Sequence, residues 1–153
     1  MKQNILKHAC RYDDPEHPGL PVFTQAGAIC WRGNVNAREI LLITSLRTKR
    51  RIIPKGWSEP GMTLRDTARQ EAWEEAGIAD GILSSGPVGS YLYDKLAKNG
   101  GIRLCRVHVF SYEVHQMRHA FPEAGRRSQI WLPPGEAAIH VREPALQSLL
   151  LQF

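Results

Sequence analysis

Cysteine is scarce in this chain: Cys10, Cys30 and Cys105 stand far apart, with no Cys-x-x-Cys spacing. That argues against a disulfide framework and against a structural zinc site. Cys30 and Cys105 fall inside apolar stretches and read as small buried hydrophobes. No apolar run approaches the roughly 18 residues that a membrane span requires, so no membrane association is expected. The opening Met1-Lys2-Gln3-Asn4-Ile5 is not followed by an apolar segment long enough for a secretory leader, which makes export unexpected and the cytoplasm the default compartment. Acidic residues are outnumbered, 15 against 20 Lys and Arg, and the resulting formal charge of +5 favours an anionic partner. Internal repeats and low-complexity tracts are also missing.

What is present fits one soluble domain spanning 1–153, since 153 residues can bury most of a single core. Residues 1–21 end in RYDDPEHPGLP, whose prolines and glycine predict an irregular lead-in. VFTQAGAICWR, a Gly/Asn turn and REILLITS predict a β-hairpin. RTKRR reads as a basic loop, IIP as a short buried strand and KGWSEPG as a loop. Thr63 to Ala76 lacks Gly and Pro; Thr63 with Asp66 can cap its start, and Gly77 can end it in the left-handed conformation, so a helix is predicted there. PVGSYLYDKL and IRLCRVHVFSYEV read as strands around the polar AKNGG. FPEAGRRSQ reads as a charged loop and IWL as a short strand. PPGEAAIHV carries helix formers after Pro, and Leu146, Leu149 and Leu150 share helical spacing in a docked C-terminal helix. The order predicts an α+β fold, a mixed sheet covered by helices.

The helix over 63–76 carries the chemistry. On a helix advancing about 100° per residue, Glu71, Glu74 and Glu75 fall within an arc of about 100°. Ala68, Ala72 and Ala76 form an adjacent stripe suited to close packing, and Trp73 points nearly opposite Glu71. Like charges four residues apart cost an isolated helix a few tenths of a kcal/mol, and partial burial raises their pKa values. Oxygen ligands on one rigid face suit a hard divalent cation such as Mg²⁺. Three glutamates on a helix, taken alone, more often form a solvated face.

Their surroundings give them more weight. Gly56, Glu71-x-x-Glu74-Glu75 and Gly77-Ile78 stand at the spacing of the Nudix box, here residues 56–78, and the chain resembles a Nudix hydrolase over most of its length. Met62 stands where the family has its first Glu, and Gln70 where it has Arg. The resemblance implies a Nudix fold, a mixed β-sheet sandwiched between helices (α/β/α). It also implies Mg²⁺, with Mn²⁺ as a substitute, held by Glu71, Glu74, Glu75 and a main-chain group at Lys55 or Gly56. The implied reaction is hydrolysis of a pyrophosphate bond. Glu71 or Glu75 is expected to take the proton from the attacking water, with Glu113 and Glu123 as alternatives from later segments.

PKGW preceded by SLRTKRRIIP is similar to the branch that includes diphosphoinositol polyphosphate and diadenosine polyphosphate hydrolases. There Ser45-Leu46-Arg47 matches a phosphate-contacting Ser-x-Arg. Lys49, Arg50 and Arg51 add charge to the same loop. Lys55, Lys95, Lys98, Arg103, Arg106 and Arg126-Arg127 are the further basic positions expected over a polyanion. His108 and His115 alternate with apolar residues and read as structural or surface groups. Of Trp31, Trp57, Trp73 and Trp131, three read as core or lid residues, while Trp57 directly follows the metal-side glycine. The leading expectation is hydrolysis of a highly phosphorylated small molecule by a monomer or homodimer. The alternatives are an RNA 5′-pyrophosphohydrolase, which would make RNA the partner, and a catalytically weak Nudix-fold module that binds nucleotide or polyphosphate.

Overall fold

The computed structural model describes residues 11–13, 16, 18–19, 21–96 and 100–153; Cys10 and Lys98 lie outside them. Two long strands form the centre, β2 (Pro21–Arg32) and β8 (Ile102–Met117), which run parallel from Val22↔Leu104 to Trp31↔Glu113. Along its other edge β2 meets three antiparallel partners in turn. These are β1 (Arg11–Asp13), β5 (Lys55–Trp57) and β3 (Glu39–Thr44). The far edge of β8 is likewise shared, by β7 (Gly89–Leu96) over its first half and by β6 (Ile78–Leu83) over its second. β4 (Arg51–Ile52) and β9 (Gln129–Leu132) both pair with β3.

Alternation along β2 and β8 divides the core into two layers. On one face Ala26, Ala28, Cys30, Phe110 and Tyr112 receive the Ala68, Ala72 and Ala76 stripe of α1 (Leu64–Ala76). These small side chains let the helix lie close to the sheet. On the other face Ile29, Val107, Val109 and Tyr91 meet α2 (Pro134–His140) and α3 (Pro144–Leu150), which insert Ala137, Leu146, Leu149 and Leu150. Leu146 and Leu150 are fully buried, each contributing roughly 2 kcal/mol. The expected α/β/α sandwich is therefore present, with both described cysteines, Cys30 and Cys105, free and buried. Among the described residues no helix is long and apolar enough to cross a membrane.

The predicted helix is found at its predicted ends. Thr63 Oγ1 accepts from the Asp66 N–H at 3.0 Å, a cap of about 1 kcal/mol, and Gly77 closes the helix at φ 76°. Three segments differ from the reading of the sequence. Arg11–Asp13, inside the expected irregular lead-in, pairs with β2. Lys55–Trp57, expected as loop, is a strand because Gln25, Ala26 and Gly27 offer it an open edge. β6 was not anticipated, since Asp80 and Gly81 break its pattern; it forms through irregular pairing with β8.

Candidate active site

β5 crosses beneath the C-terminal half of α1. Glu71 presses against Gly56 so closely that a methyl group there would run into its carboxylate. The Lys55 N–H donates to Glu75 Oε1 at 3.3 Å. Burial pushes the Glu71 carboxyl up to about 9, reinforced by the Glu75 charge, a hydrogen bond to Glu75 and the charges of Glu74 and Glu123. Burial also raises Glu75, against the pull of Arg127 and Lys55 and a hydrogen bond from Glu71. Each of the two carboxyls is thus held above the usual carboxylate range, chiefly by burial. Glu74 stands further out, where Gln70 Nε2 donates to its Oε1 at 2.7 Å.

The loop after β8 closes over this cluster. Phe121 packs edge-on against Trp73, and the Glu123 N–H donates to the Glu74 carbonyl at 3.0 Å. Glu123 thereby comes near enough for its charge to raise the Glu71 and Glu75 carboxyls. Glu113, the other downstream glutamate considered from sequence, pairs in register with Trp31 on the face away from α1 and lies 3.2 Å from His115. Arg127 enters from the same loop, with Nη2 3.0 Å from Glu75 Oε2 and Nε 3.3 Å from Glu123 Oε2. The first of these approaches lies off the hydrogen-bonding direction, which leaves the buried Oε2 of Glu75 without a hydrogen-bond partner. Among the described residues no three His, Cys, Asp or Glu side chains are drawn together as a ready-made ion site; Arg127 is the cation that meets Glu75 and Glu123 there.

The expected basic residues separate into groups. Lys55, Lys95 and Arg103 gather on the α2/α3 face around aromatic rings. Lys55 Nζ stands 4.5 Å from the Tyr93 centroid, Lys95 Nζ 5.7 Å from Trp57 and the Arg103 guanidinium 5.3 Å from Phe23. Phe23 and Trp57 meet edge to face at 6.2 Å. Burial, with Lys95 and Arg50 close by, pushes the Lys55 ammonium down to about 8 against the attraction of Glu75. The Ser45 loop leans toward this cluster, with Arg47 Nη1 donating to the Leu96 carbonyl at 3.3 Å and Ser45 Oγ 2.5 Å from Thr48 Oγ1. Arg50 forms a 2.7 Å ion pair with buried Glu143 at the start of α3. Arg51 reaches the Ser128 carbonyl. Arg106 belongs to neither group: it projects from the opposite face to Arg103 and binds Ser90 and Glu16.

Sequence reasoning did not find the contact between Arg127 and Glu75, nor Phe23, Gln25 and Tyr93. Gln25 is fully buried and accepts from Tyr93 Oη at 2.6 Å. A polar residue at an inward position of β2 was the only signal available.

The NUDIX domain family matches residues 24–153. Nudix hydrolase 13, mitochondrial, of Arabidopsis thaliana is 30% identical over 125 residues, covering 77% of this chain and 60% of the relative. Nudix hydrolase 16, mitochondrial, of the same plant is 30% identical over 120 residues, covering 74% of this chain and 64% of the relative. The chain thus spans less than two thirds of the length of these relatives. Among solved structures, a C. elegans Ap4A hydrolase superposes with a TM-score of 0.60 at 22% identity, covering 86% of this chain and 94% of that one. A NUDIX hydrolase from Nitrosomonas europaea gives 0.56 at 17% identity, covering 84% and 85%. These two likenesses are of fold. With its box helix, cap and sandwich in place and the family match running from residue 24 to residue 153, this protein belongs to the Nudix hydrolase family.

Proposed function

We propose that this chain hydrolyses a pyrophosphate bond in a highly phosphorylated small molecule of the diphosphoinositol polyphosphate or dinucleoside polyphosphate type. The observation that carries the reading is the pairing of partly buried Glu71 with buried Glu75 against β5, with a carboxylate oxygen of Glu75 lacking a hydrogen bond. The donor set is all oxygen and fits a hard divalent cation: Glu71, Glu74 and Glu75 with the main chain of Lys55 or Gly56 would hold Mg²⁺, or Mn²⁺ in its place. When bound, such an ion stabilises the charge that develops on the phosphoryl oxygens.

The chain's own groups do the rest. Water adds to one phosphorus, the bridging P–O bond breaks toward the leaving phosphate, and Glu71 or Glu75, with Glu123 beside them, takes the water proton. Lys55, Lys95 and Arg103 hold the remaining phosphates from the other side of β5, with Ser45, Arg47 and Arg51 at the margin. Arg50 supports the loop through Glu143, and Arg106 is assigned no phosphate contact. The compartment proposed is the cytoplasm, although the plant relatives are named as mitochondrial. The working unit is a monomer or homodimer.

A Mg²⁺-dependent phosphate-release assay tests this over diphosphoinositol polyphosphates, dinucleoside polyphosphates, nucleoside diphosphate sugars and 5′-triphosphate RNA. Highest kcat/KM on one of the first two classes supports the proposal. Preference for RNA supports the transcript-processing alternative, and tight binding without turnover supports a binding module.

A further inference from the structure

A cation of the chain's own stands among the glutamates. The Arg127 side chain is only 10% exposed and lies 3.0 Å from Glu75 Oε2 and 3.3 Å from Glu123 Oε2. Its Nη1 donates to the Thr44 carbonyl at 3.0 Å. The neighbouring cations face elsewhere. Arg126 meets Glu123 from the exposed side, and Lys55 carries its ammonium across β5 to Tyr93. The only positive group in ion-pair contact with Glu75 among the described residues is therefore Arg127, directed at the carboxylate oxygen that has no hydrogen bond.

Resting on the reading that these carboxylates hold a divalent ion, we propose that Arg127 is the internal counter-cation of the site. It balances Glu75 and Glu123 in the ion-free chain and competes with the divalent ion for Glu75, so that the arginine sets the metal affinity. Two like charges cannot share a buried carboxylate oxygen without repulsion, and the low exposure of the pair removes most solvent screening. The Thr44 carbonyl and Glu123 give the guanidinium partners to keep when Glu75 is taken. Arg127 is thus a positioning residue whose removal strengthens metal binding.

The test uses the full chain stripped with chelator and without substrate. Mn²⁺ is titrated into wild type, R127Q and R127K, with free ion read by electron paramagnetic resonance and Mg²⁺ binding followed by calorimetry. R127Q is expected to bind Mn²⁺ roughly tenfold more tightly. Its Tm in chelator should fall, and its metal-induced rise in Tm should exceed that of wild type. R127K keeps the charge but not the planar fork, and is expected to bind more tightly than wild type by a smaller factor. Equal or weaker binding by folded R127Q overturns the proposal; if circular dichroism shows that R127Q does not fold in chelator, equal or weaker binding by R127K does so. Wild type that binds neither ion refutes the metal-dependent function itself, which is a separate result.

Discussion

The two faces of β5 are built in opposite ways. Toward α1 the strand offers Gly56, which has no side chain, and the space is filled by Glu71. Away from α1 it offers Lys55 and Trp57, which stand among Tyr93, Lys95, Phe23 and Arg103. One face is acidic, closely fitted and drawn mostly from a single helix. The other is basic, aromatic and assembled from β2, β5, β7 and β8. The contrast separates the work: the acidic face suits an ion and a proton, and the basic face suits the charge and bulk of a polyphosphate.

Loss of the acidic face should cost most. Glu75→Gln removes the charge that faces Arg127 and Lys55 while keeping the volume, and kcat should fall by about 10²–10³-fold with the fold intact by circular dichroism. Turnover within threefold of wild type would take Glu75 out of the site. Gly56→Ala tests the close fit itself. The added methyl displaces the Glu71 carboxylate, the end of a flexible side chain, so stability should change little. Misplacing a reacting group by about 1 Å costs roughly 10²-fold in rate. A variant that unfolds, or one that keeps full activity, would mean that the contact between Gly56 and Glu71 does not govern catalysis.

On the basic face the expected effect is smaller and of another kind. Arg103→Ala removes a cation beside Phe23 but touches none of the glutamates. KM for a polyphosphate should rise about tenfold, as for an exposed charge-assisted contact, with kcat nearly unchanged and with the difference shrinking at high salt. A fall in kcat at constant KM would erase the division of labour between the faces.

The same contrast explains what the sequence made legible. Spacing on one helix is a local property, so Glu71, Glu74, Glu75, the Thr63 cap and the Gly77 stop could be read directly. The basic face depends on strand register. Phe23 meets Trp57 only because Gln25 pairs with Trp57 across β2 and β5, and Arg103 joins them only because β8 runs parallel to β2. Side-chain alternation separates Arg103 from Arg106, which charge counting had grouped together. β6 escaped notice because Asp80 and Gly81 spoil its apolar pattern while irregular pairing with β8 holds it. Arg127 was visible as a charge in a loop, but its approach to Glu75 requires the loop to fold back over α1.

The smallest expected effect lies at the margin of the acidic face. Gln70 and Met62 line one cleft of about 670 Å³ together with Asp66, Arg69, Trp73 and Arg118. Gln70 already donates to Glu74 at 2.7 Å, so Gln70→Arg would replace one helical i,i+4 contact by a charged one, worth a few tenths of a kcal/mol of helix stability, and kcat should change by no more than about twofold. Arg69 and Arg118 border the same space, and Met62 offers no anion to balance a third guanidinium. The single change should therefore yield little, whereas Met62→Glu combined with Gln70→Arg should give a larger gain, because the two side chains can then neutralise each other. A double-mutant cycle on kcat/KM measures this coupling. If the two effects simply add, each neutral residue acts alone and the acidic face ends at Glu74; if the double variant exceeds their product, that face extends to the start of α1.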